Sequence, residues 1–160
     1  MTGEVTLRDV QADDLPLFYE HQRDPAALRM AGFPGREWEP FSQHWARILA
    51  DESIIKQTIL LDGQVAGSIV CYEQDGLRQV GYWLGKAFWG RGVGSRALAE
   101  FLGLVRVRPL YARLSRHNFA SLRLLEKCGF SLAGEVVDSR GAEAEELTLV
   151  LRGECPGDPV

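Results

Sequence analysis

The stretch Gly81-Tyr82-Trp83-Leu84-Gly85-Lys86-Ala87-Phe88-Trp89-Gly90-Arg91-Gly92-Val93-Gly94-Ser95 decides how this chain is read. It opens as a strand, turns through closely spaced glycines, and leads into Ala97, Leu98, Phe101, Leu102 and Val105, which recur at helical spacing. A strand, a glycine-rich turn and a helix start in succession make an anion site. Glycines let the backbone approach a phosphate, and the first N–H groups of the helix, unpaired and at its positive dipole end, then point at the charge. A side chain at Gly92 or Gly94 obstructs that approach. The plain alternative is that the glycines only turn the chain between two elements. A P-loop is excluded because Gly-Lys-Ser/Thr is missing, and the dinucleotide fingerprint is excluded because Ser95 stands where its third glycine belongs.

Upstream, Glu4 to Val10 alternates as a strand, and Ala12-Asp13-Asp14 starts a helix carrying Leu15, Leu17 and Phe18, with Ala26 to Leu28 beyond and a break at Phe33-Pro34-Gly35. A further helix is expected from Ser42 to Ala50. Ile54 to Leu61 and Val65 to Tyr72 are strand-like runs joined by Asp62-Gly63, and Asp75-Gly76 introduces Gln79 to Leu84, so three antiparallel strands are expected side by side. Downstream, Pro109 closes the helix after the glycines, Leu110 to Leu114 is a strand, and Asn118 to Lys127 is a helix stopped by Gly129. Phe130 to Asp138 and Glu145 to Leu151 form a last pair around Ser139-Arg140-Gly141. Residues 1–152 read as one domain, and the Pro/Gly-containing tail 153–160 as disordered.

The net charge of −4 hides an asymmetry: between Lys86 and Lys127 stand nine basic and two acidic residues, while the remainder carries nine basic and twenty acidic. A cation-rich centre in an acidic chain suits an anionic ligand. Cys71, Cys128 and Cys155, like His21, His44 and His117, are scattered without metal-ligand spacing, so no metal is expected. With no long apolar run and no leader pattern in MTGEVTLRDV, the expectation is a cytoplasmic protein, monomer or homodimer, with no membrane partner. The basic residues lack aromatic interleaving or a reader motif, which argues against nucleic acid.

Gly92 and Gly94 fill the glycine positions of a pattern that resembles the coenzyme A motif of the GNAT acetyltransferase superfamily, Gln/Arg-x-x-Gly-x-Gly/Ala, with Trp89 in place of the Gln or Arg. A second block, Asn118-Phe119-Ala120-Ser121 followed by Glu126-Lys127-Cys128-Gly129-Phe130, resembles the other signature of the branch that includes ribosomal-protein N-terminal acetyltransferases. The resemblance spans roughly Val5 to Leu151. It implies an α/β fold with a mixed sheet of six or seven mostly antiparallel strands, about four helices, and fourth and fifth strands that splay to admit the pantetheine arm. It also implies acetyl-coenzyme A as cosubstrate and an amine acceptor, either a small molecule or a peptide.

Carried over residue by residue, the resemblance places the pyrophosphate on Arg91, Gly92, Val93, Gly94, Ser95 and Arg96, with Asn118 and Lys127 also on the cofactor. It makes Ser121 the acid that protonates the leaving thiolate. Leu125 stands where many relatives have a tyrosine acid, and Arg113 where some have a glutamate base, so neither role carries over. The transfer chemistry needs a polarised carbonyl, for which backbone N–H groups of the splayed strand near Trp83 and Leu84 are candidates, and a base, for which His117, Glu73 and Glu20 are candidates. Asn118 and Ser121 also have a purely structural reading as a helix cap. Trp38, Trp45, Trp83 and Trp89 are candidate acceptor walls or core. A non-catalytic module of the same fold stands as the rival, distinguished by binding without turnover.

Overall fold

The computed structural model describes residues 3–31, 35–136 and 146–153. Along these the elements are β1 (Val5–Asp9), α1 (Leu15–Gln22), α2 (Pro25–Ala31), α3 (Trp38–Ala50), β2 (Ile55–Leu61), β3 (Gln64–Gln74), β4 (Leu77–Leu84), α4 (Val93–Leu104), β5 (Leu110–Ser115), α5 (Phe119–Lys127), β6 (Ser131–Val136) and β7 (Glu146–Leu151). The strands form one sheet in the order β1-β2-β3-β4-β5-β7-β6. Every pairing is antiparallel except β4 with β5.

The two Asp-Gly pairs do what their chemistry requires. Asp62 and Gly63 have φ of 50° and 82°, and Asp75 and Gly76 have 56° and 77°. Two consecutive residues at positive φ match the right-handed twist of a tight hairpin, so β2, β3 and β4 fold back on one another in sequence order.

The sheet divides two apolar layers. Val93, Ala97, Leu98 and Phe101 of α4, with Leu125 of α5, pack on Ile59, Ile69, Val80 and Leu110. On the opposite face Phe18 of α1 packs with Phe41 and Trp45 of α3, against Val65 and Val70.

Two boundaries differ from the sequence reading. The apolar stretch after Asp14 is two helices, because Asp24 accepts the Ala26 N–H at 2.8 Å and starts a new turn at Pro25. That accounts for five helices among the described residues where about four were expected. Helix α3 begins at Trp38 rather than Ser42 because Pro40 falls in its first turn, where no N–H is needed. The break at Phe33-Pro34, the loop Ser139-Arg140-Gly141 and the tail after Gly153 lie outside the described residues.

Asp14 joins β1 and β2 to the first helical layer. Its carboxylate accepts two bonds from Arg8 at 2.7 and 2.9 Å, one from the Gln11 N–H at 2.9 Å and one from the Thr58 hydroxyl at 2.7 Å. Burial opposes its charge, but the Arg8, Gln11 and Thr58 donors more than offset that and hold its pKa at about 2. A depressed folded-state pKa contributes stability that is complete above the ordinary carboxylate range and is lost as pH falls toward 2. Asp14→Asn should therefore lower stability in urea by about 1–3 kcal/mol at pH 7. The gap between variant and parent should close as the pH is lowered from about 4 to about 2.

Candidate active site

Strands β4 and β5 touch at a single register position, Gln79 against Tyr111, and part beyond it. Each is fully paired on its other side, β4 to β3 and β5 to β7. Between the parted edges opens a cleft of about 490 Å³.

The orientation of the β4 backbone follows from its partner. The Gly85 N–H donates to the Ala66 carbonyl at 2.9 Å, which makes Leu84 and Gly67 a non-hydrogen-bonded antiparallel pair. The amides of Leu84 and, two residues back, Tyr82 therefore face the open edge, and that of Trp83 faces β3. The sequence reading offered amides near Trp83 and Leu84 to a carbonyl; the register singles out those of Leu84 and Tyr82. The Trp83 side chain lines the cleft and also a smaller cavity of about 120 Å³ beside His21, His44 and Ser68. Burial lowers the pKa of both histidines, so each is neutral near pH 7.

At the wide end, Gly92 caps α4 with φ of 74°, a left-handed conformation that glycine adopts without penalty. The first turn behind it, Val93 to Ser95, presents its unpaired N–H groups to the cleft it lines. Arg96 holds this turn by its carbonyls, donating to Gly92 at 3.2 Å and Arg91 at 3.3 Å, and also to Gly3. Trp89, in the motif position usual for Gln or Arg, donates its indole N–H to the Leu84 carbonyl at 3.1 Å and so fastens the turn to the strand end. Gly94 has a packing role as well: a Cβ there would strike Leu124 of α5 and crowd Leu84 at 3.1 Å.

On α5, Asn118 accepts the Ser121 N–H at 3.1 Å and caps the helix, so the structural reading of Asn118 holds while its side chain also lines the cleft. The Ser121 hydroxyl is hydrogen-bonded to the Tyr82 hydroxyl of β4. Burial pushes the Tyr82 phenol up, against the pull of its Ser121 hydrogen bond, to about 12. It is a neutral phenol at physiological pH. Tyr82 was not singled out from the sequence, because nothing local signals a contact between residues 39 apart on a strand and a helix.

Besides Trp83, Leu84, Gly92, Val93, Gly94 and Ser95, the cleft is lined by the sequence-selected Asn118, Ser121 and Lys127. Arg91, Arg96 and His117 are not lining residues. Arg91 lies over the Phe88 ring, Arg96 braces the turn, and His117 is exposed between β5 and α5. Glu20 and Glu73 are exposed and outside the cleft. Of the four tryptophans, Trp83 and Trp89 line the cleft, Trp45 is core, and Trp38 stacks edge-on with Tyr19. Among the described residues no three His, Cys, Asp or Glu gather as a metal site, and no helix is long and apolar enough to cross a membrane.

Residues 4–131 match the family model described as an acetyltransferase (GNAT) domain. The chain belongs to the GNAT acetyltransferase family. This GNAT chain is an acyltransferase, and its relatives extend over nearly its full length. An uncharacterized N-acetyltransferase p20 of Bacillus licheniformis is 20% identical, covering 94% of this chain and 92% of its own. Spermidine N-acetyltransferase from Vibrio cholerae, solved with CoA and spermine, superposes with a TM-score of 0.77 at 14% identity, covering 92% of this chain and 95% of that one. RimJ of Mycobacterium smegmatis, solved with CoA-disulfide, gives 0.72 at 21% identity, with 94% and 82% covered. These likenesses establish that the GNAT fold is shared.

The close seating of Gly94 on α5 gives a stability test. Gly94→Ala should cost about 1–3 kcal/mol in chemical denaturation through overpacking. Combined with Leu124→Ala, which removes the obstructing methyls, the loss should be smaller than the sum of the two single losses.

Proposed function

We propose that this chain transfers acetyl from acetyl-coenzyme A to a primary amine by direct attack in a ternary complex. The observation that carries the reading is the cleft itself. It runs from the helix amides at Val93 to Ser95, along the unpaired edge of β4, to the Ser121–Tyr82 hydroxyl pair. A pyrophosphate fits the amides and the flanking Arg123 and Lys127, and an extended pantetheine fits a strand edge that β5 leaves unpaired beyond Gln79.

In this reading the Tyr82 or Leu84 N–H donates to the thioester oxygen and stabilises the charge that develops there when the amine adds. The carbon–sulfur bond then breaks, and Ser121 delivers a proton to the departing sulfur. Tyr82, which keeps its own proton because its pKa is about 12, donates to the Ser121 oxygen and so leaves the serine hydrogen free to face the sulfur. The amine loses its protons to water at the open end of the cleft, and water there returns one to the Ser121 oxygen, restoring its hydroxyl. The Asn118-x-x-Ser121 signature and the fold shared with RimJ support placement in the N-terminal acetyltransferase branch, with a peptide N-terminus or a small amine as acceptor.

Ser121→Ala and Tyr82→Phe should each lower kcat by roughly ten- to hundredfold while leaving the KM for acetyl-coenzyme A within about twofold, because both act on the transition state. Steady-state kinetics of the double variant should show a loss well short of the product of the two. Full activity in Ser121→Ala would remove the serine from this role.

A further inference from the structure

The cleft opens toward both faces of the sheet, and its charged lining divides between them. Ala112 and Leu114 of β5 are buried among the α4 and α5 residues, so by strand alternation Arg113 points to the opposite face, the side of α2. There Ala27 and Met30 of α2 and Trp83 of β4 line the cleft with it. Arg113 sits two residues beyond the last paired position, Tyr111, at the narrow end where the strands begin to part. In the proposed function that is the acyl end, remote from the phosphate-binding turn. Among the described residues the charged side chains lining the cleft are Arg113, Arg123 and Lys127. The last two lie on α5 and serve the cofactor reading, while Arg113 has no part in it.

Arg113 is also under-used by the protein. Its Nε is buried with no hydrogen-bond partner, and its Nη1 meets the exposed Asp75 carboxylate at 3.6 Å, beyond hydrogen-bond length. A guanidinium donor left buried and unmade is costly, and its planar fork fits a carboxylate with two parallel N–H bonds. A polyamine or other polycation entering this end would meet a cation and would leave that donor unmade.

We infer that Arg113 recognises the acceptor, and that the acceptor is a small amine that also carries a carboxylate. The inference rests on the acetyl-transfer reading of the same cleft and adds the substrate class to it. The guanidinium binds the carboxylate from the α2 side and holds the amine toward the thioester at the parting of β4 and β5.

The test uses the full chain with acetyl-coenzyme A and matched amine pairs, each amino acid against its own carboxamide, with spermine and an uncharged peptide N-terminus as further arms. Thiol release is followed, and coenzyme A binding is measured separately by calorimetry. The amino acid form of at least one pair should be preferred by about tenfold or more in kcat/KM. Arg113→Gln should erase that preference through KM for the acceptor, with coenzyme A binding within about twofold as the check that it is folded. Arg113→Lys, which keeps charge but loses the fork, should retain part of the preference. Equal use of acid and carboxamide, a preference for spermine, or a preference that survives in Arg113→Gln would overturn the inference and leave acetyl transfer standing. Coenzyme A binding with no turnover on any amine would overturn the acetyl-transfer reading and this inference with it.

Discussion

Two strands that should hydrogen-bond and do not are the constraint on which this molecule is built. Parallel neighbours normally bond along their length, yet β4 and β5 meet only at Gln79 and Tyr111. Each is satisfied on its far side by a full antiparallel partner, so the sheet survives the gap. Backbone donors and acceptors along the near edges remain, and such groups are expensive unless solvated or bonded. An extended chain with its own amides is a fitting occupant. The Leu84 carbonyl, which the indole of Trp89 engages, shows how the protein settles the one edge group nearest the turn.

The gap gains chemical meaning from what the neighbouring helices bring to it. Helix α4 offers its N-terminal amides at the wide end because Gly92 takes a left-handed conformation and Arg96 draws the turn's carbonyls to itself. Helix α5 brings Ser121 over β4, with its first turn fixed by the Asn118 cap and its hydroxyl by Tyr82. Gly94 lets the two helices approach, so a glycine of the motif has a packing role of its own. The first turn of α4, the edge of β4 and the Tyr82–Ser121 hydroxyl pair all border the same cleft.

Much of this was legible in the residues, and the exceptions share a cause. Both Asp-Gly turns announced their hairpins, since positive φ at two consecutive residues is a local demand that few sequences meet. The glycine turn and helix start around Gly92 were legible for the same reason. What local patterns cannot carry is pairing between distant elements. The Tyr82–Ser121 bond, the bracing of the turn by Arg96 and the direction in which Arg113 points all arise from tertiary packing. Leu125 stands where many relatives have a tyrosine, and no local pattern announced that Tyr82 of β4 would set a phenol beside the Ser121 hydroxyl. Which amides near Trp83 and Leu84 are open was not legible, because strand register, invisible before β3 and β4 are aligned, turns those of Tyr82 and Leu84 outward.

Titration of uniformly nitrogen-labelled protein with coenzyme A, read as amide chemical shifts, addresses the central claim most directly. The largest shifts should fall on the Tyr82 and Leu84 amides and on Val93 to Ser95, with Trp83, bonded into β3, moving less. Shifts confined to some other surface, or none at saturating coenzyme A, would contradict the account.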